Sequence, residues 1–125
     1  TGAVLNGRGG QDVLIGGAGN DVLIGGINKD TMTGGAGQDA FVFHQGDNYD
    51  RIKDFQTGPG GDQIVITGAA DVTGMGNLTM TQNGTEVWVR YGANSTVIVE
   101  NHTIAELTPA NFGFDPAGTQ YGHLL

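Results

Sequence analysis

A nine-residue repeat near the start of the chain limits its possible folds more than any other feature. Residues 7–15, 16–24, 25–33 and 34–42 read GRGGQDVLI, GGAGNDVLI, GGINKDTMT and GGAGQDAFV. Each copy begins with glycine and has aspartate at its sixth position and a large apolar residue at its eighth. Apolar residues in a helix return every three or four positions, and repeated glycine disfavours a helix. A disordered glycine linker would not keep an aspartate and an apolar residue in phase.

The repeat is better explained as alternating turns and short strands. Six residues of each copy suit a turn, in which glycine readily adopts positive φ, and three suit a strand. Two copies then complete one coil, so alternate copies stack about 4.8 Å apart. This stacking places Asp12 near Asp30 and Asp21 near Asp39. The central strand residues are expected to point inward: Leu14, Leu23, Met32 and Phe41.

Stacked aspartates need a partner that the repeat itself does not contain. Neighbouring carboxylates repel each other, and inward-facing turn carbonyls lack donors, so a cation between the turns would satisfy both. Calcium accepts six to eight oxygens at about 2.3–2.6 Å, whereas magnesium demands a tighter octahedron. Zinc prefers histidine or cysteine, and the chain has no cysteine. The repeat therefore predicts calcium.

The pattern G-G-x-G-x-D-x-U-x resembles the RTX family, the hemolysin-type calcium-binding nonapeptide repeats. The segment after the repeats resembles the C-terminal modules of RTX proteins that bacteria export by type I secretion. Its D-x-I-x-D-F signature stands at Asp50, Ile52, Asp54 and Phe55. The likeness continues more loosely through VIVENHTIAELTPANFGF. The chain as a whole is similar to the R-modules of mannuronan C5-epimerases and to serralysin C-terminal domains.

This resemblance implies at least two calcium ions, with further ions expected, and assigns their ligands. The first site would comprise the carbonyls of Arg8, Gly10, Gly25 and Ile27 with the carboxylates of Asp12 and Asp30. The second would comprise the carbonyls of Gly17, Gly19, Gly34 and Ala36 with the carboxylates of Asp21 and Asp39. Acids near the signature complete a last site in related proteases, which makes Asp47 and Asp54 candidates; turn capping is the alternative.

Three features depart from the repeat pattern: TMT is a poor apolar strand, and two substitutions fall where the family has glycine. Asn28 is a mild change because asparagine tolerates positive φ. Arg8 is expected to strain the first turn, although only its carbonyl is needed as a ligand. Upstream, TGAVLN looks like the tail of an earlier copy with Ala3 in the aspartate position, as expected of a fragment of a longer protein.

The predicted fold is all-β: a short right-handed parallel β-roll over residues 1–46, capped by an antiparallel or mixed sheet. Residues 47–114 would form this cap in one continuous domain with the roll, and residues 115–125 a tail or linker. Antiparallel strands are expected from residue 62 onward, with a hairpin at Asn83-Gly84-Thr85 and a final strand at NFGF. Residues 103–108 suit one helical turn. The cap is expected to close the apolar bore and nucleate folding.

Composition excludes several functions. The net charge is −8, with ten Asp among thirteen acids, which argues against nucleic acid and anionic membranes. No apolar run is long enough to span a membrane. The three histidines are scattered, and no HExxH pair or nucleophile elbow is present, which predicts a non-catalytic module. Trp88 either covers a sheet or stacks on a sugar.

These observations predict a monomeric calcium-binding module of a secreted, extracellular bacterial protein. It would pass the type I secretion machinery unfolded and fold in the millimolar calcium outside the cell. The alternative is a non-catalytic accessory module that binds alginate or another anionic polysaccharide, as the likeness to epimerase R-modules implies. The parent could equally be a protease, lipase or adhesin, and this segment does not choose among them.

Overall fold

A computed structural model describes residues 2–44, 46–58, 60–92 and 95–118, and these residues form an all-β fold. The strands are β1 (Val4–Asn6), β2 (Val13–Ile15), β3 (Val22–Ile24), β4 (Thr31–Thr33), β5 (Ala40–His44), β6 (Asn48–Ile52), β7 (Gln63–Thr67), β8 (Thr79–Asn83), β9 (Glu86–Gly92), β10 (Ser95–Glu100) and β11 (Phe112–Asp115). Three single turns of 3₁₀ helix lie at Met75–Asn77, Ile104–Glu106 and Pro109–Asn111.

Successive strands of the roll alternate between two sheets. Sheet I has the order β1-β3-β5-β7-β11, and every pairing in it is parallel. Sheet II has the order β2-β4-β6-β10-β9-β8; it is parallel as far as β10 and antiparallel beyond. This arrangement confirms the predicted parallel β-roll with a mixed-sheet cap.

The register of the sheets stacks the apolar residues of the repeats one coil apart. In sheet I, Leu5 pairs with Leu23, and Leu23 with Phe41. In sheet II, Leu14 pairs with Met32. Leu23, Met32 and Phe41 are fully buried, whereas Leu14 at the first coil is only partly buried. Each buried side chain of this size contributes about 1.5–3 kcal/mol, so the bore is best stabilised toward the cap.

The roll extends further along the chain than the repeats do. β7 was expected to be antiparallel, but that expectation was wrong: it pairs in parallel with both β5 and β11. The reason is that Phe41, Ile64 and Phe112 continue one apolar column in sheet I. The domain boundaries at residues 46 and 114 stay a prediction, and residues 119–125 of the expected tail lie outside the described residues.

The cap closes the far end of the bore. β8 and β9 form the expected hairpin, in which Gly84 has φ 64°. Val87, Val89 and Tyr91 point into the core, while Arg90 of the same strand is exposed. The expected helical turn is present as the 3₁₀ turn Ile104–Glu106, and the expected final strand is β11.

Candidate metal centre

The turns between strands line two edges of the roll. We call the turns 7–12 and 25–30, together with residues 46–47, the first edge, and the turns 16–21 and 34–39, together with the described residues of turn 53–62, the second edge. On the first edge the Asp12 amide donates to Oδ1 of Asp30, 2.8 Å away. On the second edge the Asp21 amide donates to Oδ1 of Asp39, 2.9 Å away. The structure thus brings together both aspartate pairs that the repeat spacing predicts.

The second oxygen of each repeat aspartate has a different environment from the first. Oδ2 is buried and accepts no hydrogen bond from the described residues in Asp12, Asp21, Asp30 and Asp39. A buried carboxylate oxygen without a partner is unfavourable unless a proton or a cation satisfies it. Four consecutive repeats therefore leave one hard oxygen each pointing into the space between stacked turns.

Backbone carbonyls point into the same space. A Cβ on Gly7 would lie 2.6 Å from Oδ2 of Asp12 and 2.8 Å from the carbonyl oxygen of Gly25. One coil later, a Cβ on Gly16 would meet Oδ2 of Asp21 and the Gly34 carbonyl in the same way. Glycine is needed because a side chain would occupy the site where these oxygens converge. Carbonyl and carboxylate oxygens together are the ligands that calcium prefers.

Burial makes these carboxyl groups weak acids when no cation is present. It raises the pKa of Asp30 to about 6, and the nearby charges of Asp12 and Asp47 act in the same direction. Burial likewise raises the pKa of Asp39 to about 6, with further contributions from the charges of Asp62 and Asp21. A cation that displaced these protons would compensate both the burial and the repulsion.

The family model for the RTX calcium-binding nonapeptide repeat matches four copies over residues 5–49. Residues 5–49 are thus an array of RTX calcium-binding nonapeptide repeats. RTX nonapeptide repeats bind calcium, and the oxygen-rich space between the stacked turns fits that ion. A search of curated protein sequences finds no match to the chain.

Two solved structures share the architecture of this chain. A subunit of the mannuronan C5-epimerase of Azotobacter vinelandii has 28% identity and a TM-score of 0.63, with 96% of this chain and 76% of that one covered. The extracellular lipase LipA of Serratia marcescens has 23% identity and a TM-score of 0.60, with 90% of this chain but only 19% of the lipase covered. The lipase therefore shows a shared fold alone.

The RTX turns contain all twelve ligands predicted for the first two sites, and their contacts differ. At the first site, a Cβ added to Gly7 would meet Asp12 and the Gly25 carbonyl, and a Cβ added to Gly26 would meet the Arg8 carbonyl. At the second site, Gly35 and Gly37 lie against the carbonyls of Gly17 and Gly19 in the same way. The remaining predicted carbonyl donors lie in these turns, where their residues are exposed: Gly10, Ile27 and Ala36. All twelve stay predictions as ligands.

Asp47 and Asp54, the two predicted ligands outside the repeats, have distinct environments. Asp47 is buried on the first edge, where its Oδ2 accepts the His44 amide at 2.8 Å. Its negative charge contributes to the raised pKa of Asp30 and Asp50. Asp54 lies on the second edge and accepts the amides of Gly34 at 2.9 Å and Gly35 at 2.8 Å, one on each oxygen. Asp54 thus caps a turn, which is the alternative raised from sequence.

Two acids outside the predicted ligand set extend the aspartate columns. Oδ1 of Asp50 accepts the Asp30 amide at 3.0 Å, and Oδ1 of Asp62 accepts the Asp39 amide at 2.9 Å. Oδ2 of Asp50 is buried without a hydrogen bond from the described residues, and burial raises its pKa to about 8. The sequence held a signal for both acids, because each begins an Asp-x-Ile triplet like the Asp-x-apolar triplet of the repeats.

No group of three or more acidic or histidine side chains converges on a single point in the part of the chain that the structure describes. Such a cluster is not required when carbonyls supply much of the coordination, as they do in mixed calcium sites. Among the same residues, no helix has the length and hydropathy that a membrane crossing requires.

Proposed function

We propose that this chain is a calcium-dependent folding module of a larger extracellular bacterial protein. The observation that supports it is the set of buried Oδ2 atoms along the two edges of the roll that accept no hydrogen bond from any described residue. Each of these oxygens faces stacked turns rather than solvent. Calcium, when bound there, would neutralise the paired carboxylates and coordinate the turn carbonyls.

The proposed sites lie between successive turns of each edge. On the first edge, Asp12 and Asp30 would hold one ion with the carbonyls of their turns. On the second edge, Asp21 and Asp39 would hold another. A third position is proposed where Asp30, Asp47 and Asp50 lie within electrostatic range of one another.

The same residues would disfavour folding when calcium is scarce. The Asp columns place like charges one coil apart, and burial penalises each of them. The glycine-rich turns also lose much conformational entropy on ordering. Extracellular calcium is millimolar, which is sufficient to fill sites of the weak extracellular class. The free energy of calcium binding would therefore stabilise the folded state only outside the cell. An unfolded chain is what the type I secretion machinery would carry.

Circular dichroism during a calcium titration tests the proposal. In excess chelator we expect a coil-like spectrum, and added calcium should restore the β signal cooperatively at millimolar or lower concentration. Magnesium at the same concentration is the control and should be much less effective, because it demands an octahedral shell. A β-sheet spectrum with a sharp thermal transition in excess chelator would rule the proposal out.

A second candidate is a non-catalytic accessory module that contacts a polysaccharide. The observation that favours it is the structural likeness to a mannuronan C5-epimerase subunit over 96% of this chain. Under this proposal the RTX roll provides the scaffold, the parent protein performs any chemistry, and the module acts as a monomer. Titration of the calcium-loaded chain with mannuronate oligomers tests it, and an unchanged NMR spectrum throughout would reject it.

A further inference from the structure

Most of the positive charge of this acidic chain lies on one surface. The surface is formed by the residues of sheet II that point away from the core, and we call it the outer face of sheet II. The sequence has five Lys and Arg residues, of which Arg8 belongs to the first RTX turn. The other four lie on or beside this face: Lys29, Arg51, Lys53 and Arg90.

An aromatic pair lies among these basic residues. The rings of Tyr49 and Trp88 meet edge to face with centroids 6.0 Å apart, and Tyr49 is exposed. Nζ of Lys29 lies 5.9 Å from the centre of the Tyr49 ring. On the other side, Arg90 pairs with Thr96 in register, and Thr96 pairs with Tyr49. The backbones of Arg90 and Tyr49 are thus two strand spacings apart, about 10 Å, so a cation stands at each end of the aromatic pair.

The basic residues differ in whether they already form an ion pair with an acidic residue. Arg51 bridges Glu86 and Glu100, and Nζ of Lys53 lies 4.0 Å from Glu100. Neither Lys29 nor Arg90 forms an ion pair within the described part of the chain. Their charges are therefore available to an external anion.

Shallow depressions flank Trp88 and supply hydrogen-bonding groups. One, of about 470 Å³, is lined by Gln11, Lys29, Tyr49 and Arg51 among others. The other, of about 180 Å³, is lined by hydroxyl, amide and guanidinium groups: Thr79, Thr81, Asn83, Thr96 and Arg90. Polar groups around an aromatic platform suit a ligand with both hydroxyls and a flat apolar surface.

We propose that the outer face of sheet II binds an anionic oligosaccharide built from uronate sugars. Trp88 and Tyr49 pack against sugar rings, while Lys29 and Arg90 pair with carboxylates on either side. This inference rests on the second candidate function and names its binding surface. A β-strand peptide would instead add to a sheet edge, and a single-stranded nucleic acid would need a longer basic track than a chain of charge −8 provides.

Calcium and the oligosaccharide are linked at this surface. Asp30 and Asp50 form part of the wall of the larger depression. Their charges would repel a uronate next to Lys29, and an ion held between them would remove that repulsion. Binding is therefore expected only in the calcium-loaded protein.

Trp88 is the single tryptophan of the chain, so its fluorescence reports on this surface alone. The experiment titrates the protein, at a fixed free calcium concentration, with a mannuronate hexamer. Circular dichroism of each sample first establishes that the protein is folded, so a failure of calcium-driven folding is distinguished from a failure of sugar binding. We expect a saturable change in Trp88 emission that weakens as salt is added.

Matched substitutions locate the site. The double variant Lys29→Gln and Arg90→Gln should weaken binding by about tenfold or more while the calcium titration stays unchanged. Lys53→Gln is the control, because it removes one positive charge from the same face at a residue that Glu100 already approaches. Its affinity should remain within about twofold of the wild type, since an exposed pair contributes little.

Three results would overturn the inference. The first is an unchanged Trp88 signal with folded protein and millimolar hexamer. The second is equal binding of a neutral mannose hexamer, which would exclude a role for the cations. The third is equal binding of oligoglutamate or oligothymidylate, which would show charge attraction without recognition of a sugar.

Discussion

Two sets of turns in the same roll satisfy their aspartates in different ways. In the RTX turns, Asp21 and Asp39 each use one oxygen to accept an amide and leave the other buried and unpaired. In the turn 53–62, Asp54 and Asp62 use both oxygens, each accepting two backbone amides. The residue type and the fold are the same. What differs is the number of amides that face the carboxylate, and under the proposed function this number decides whether an ion is required.

The comparison suggests an order of stability along the roll. Turn 53–62 closes onto turn 34–39 by hydrogen bonds alone, whereas the earlier turns leave charge to be neutralised. Asp50 belongs with the earlier turns, since its Oδ2 is buried and unpaired among the described residues. Folding that begins at the cap and advances into the RTX turns as ions bind is consistent with this contrast.

The largest expected effect is a reversal of the pH dependence of folding by calcium. In the metal-free protein, burial raises the pKa of Asp30 and Asp39 from 3.8 to about 6 and that of Asp50 to about 8. The folded state then binds more protons than the unfolded state, so stability is greatest at low pH and is lost as pH rises through these values. With calcium bound the carboxylates stay ionised, and stability should instead fall on acidification.

Circular dichroism measures this reversal: samples in chelator are compared directly by their β signal, and samples in saturating calcium are unfolded in urea. Both sets are prepared at about pH 5.5 and about pH 8. These pH values avoid the isoelectric point near 4.4. In chelator more β signal should remain at the lower pH than at the upper pH, and in calcium the urea midpoint should be higher at the upper pH. If stability changed with pH in the same direction in both conditions, the carboxyl groups of the aspartate columns would not hold the ion.

Neutralising one carboxylate of the aspartate columns should have opposite effects on folding with and without calcium. In Asp39→Asn, the amide oxygen can still accept from Asp21, but the charge at Oδ2 is lost. The calcium midpoint should rise by about tenfold or more, because ligand charge sets affinity in such sites. The β signal in chelator should stay equal or increase, because a buried charge has been removed.

The control for this substitution is Asp71→Asn, at an exposed turn position. It removes the same charge and should leave the calcium midpoint within about twofold, since exposed charges contribute little. If Asp39→Asn lowered the urea midpoint in saturating calcium while the calcium midpoint stayed unchanged, Asp39 would have a structural role rather than a ligand role.

A smaller and ion-independent loss is expected at Asp54. Both of its oxygens accept amides, so Asp54→Asn turns an NH₂ group toward either Gly34 or Gly35. One amide then loses its acceptor, at a cost of about 1–3 kcal/mol. The free energy of unfolding should fall by this amount in saturating calcium, with little change in the number of ions bound by calorimetry. A stoichiometry reduced by one ion would make Asp54 a ligand, as the family resemblance implied.

Much of the fold could be predicted from the sequence because the repeat fixes it locally. A constant spacing puts the inward residues Leu23, Met32 and Phe41 and the paired aspartates in register without knowledge of distant contacts. The nine-residue phase is lost after residue 42, and there the prediction failed. β7 was expected to be antiparallel although it continues the roll.

The two further members of the aspartate columns were not predicted from the sequence for the same physical reason. Asp50 follows Asp30 by 20 positions and Asp62 follows Asp39 by 23, whereas the repeat aspartates pair at 18. Longer turns change the count but not the strand register, because the Asp-x-apolar triplet enters each strand in the same way. The hydrogen-bond partners of Asp54 depend on how turn 53–62 folds back onto Gly34 and Gly35, which residue spacing does not encode.

The smallest expected effect concerns strain in the first RTX turn. Arg8 adopts φ 64° at a position where the family has glycine, and Asn28 adopts φ 81°. A left-handed conformation costs an ordinary residue about 1–2 kcal/mol, and asparagine less. Arg8→Gly should therefore stabilise the calcium-loaded protein by about 1 kcal/mol, less any entropy that glycine adds to the unfolded chain. Asn28→Gly is the matched comparison and should change stability by a few tenths of a kcal/mol at most. Urea unfolding in saturating calcium resolves the difference, and an Arg8→Gly protein no more stable than the wild type would show that the first turn carries no strain.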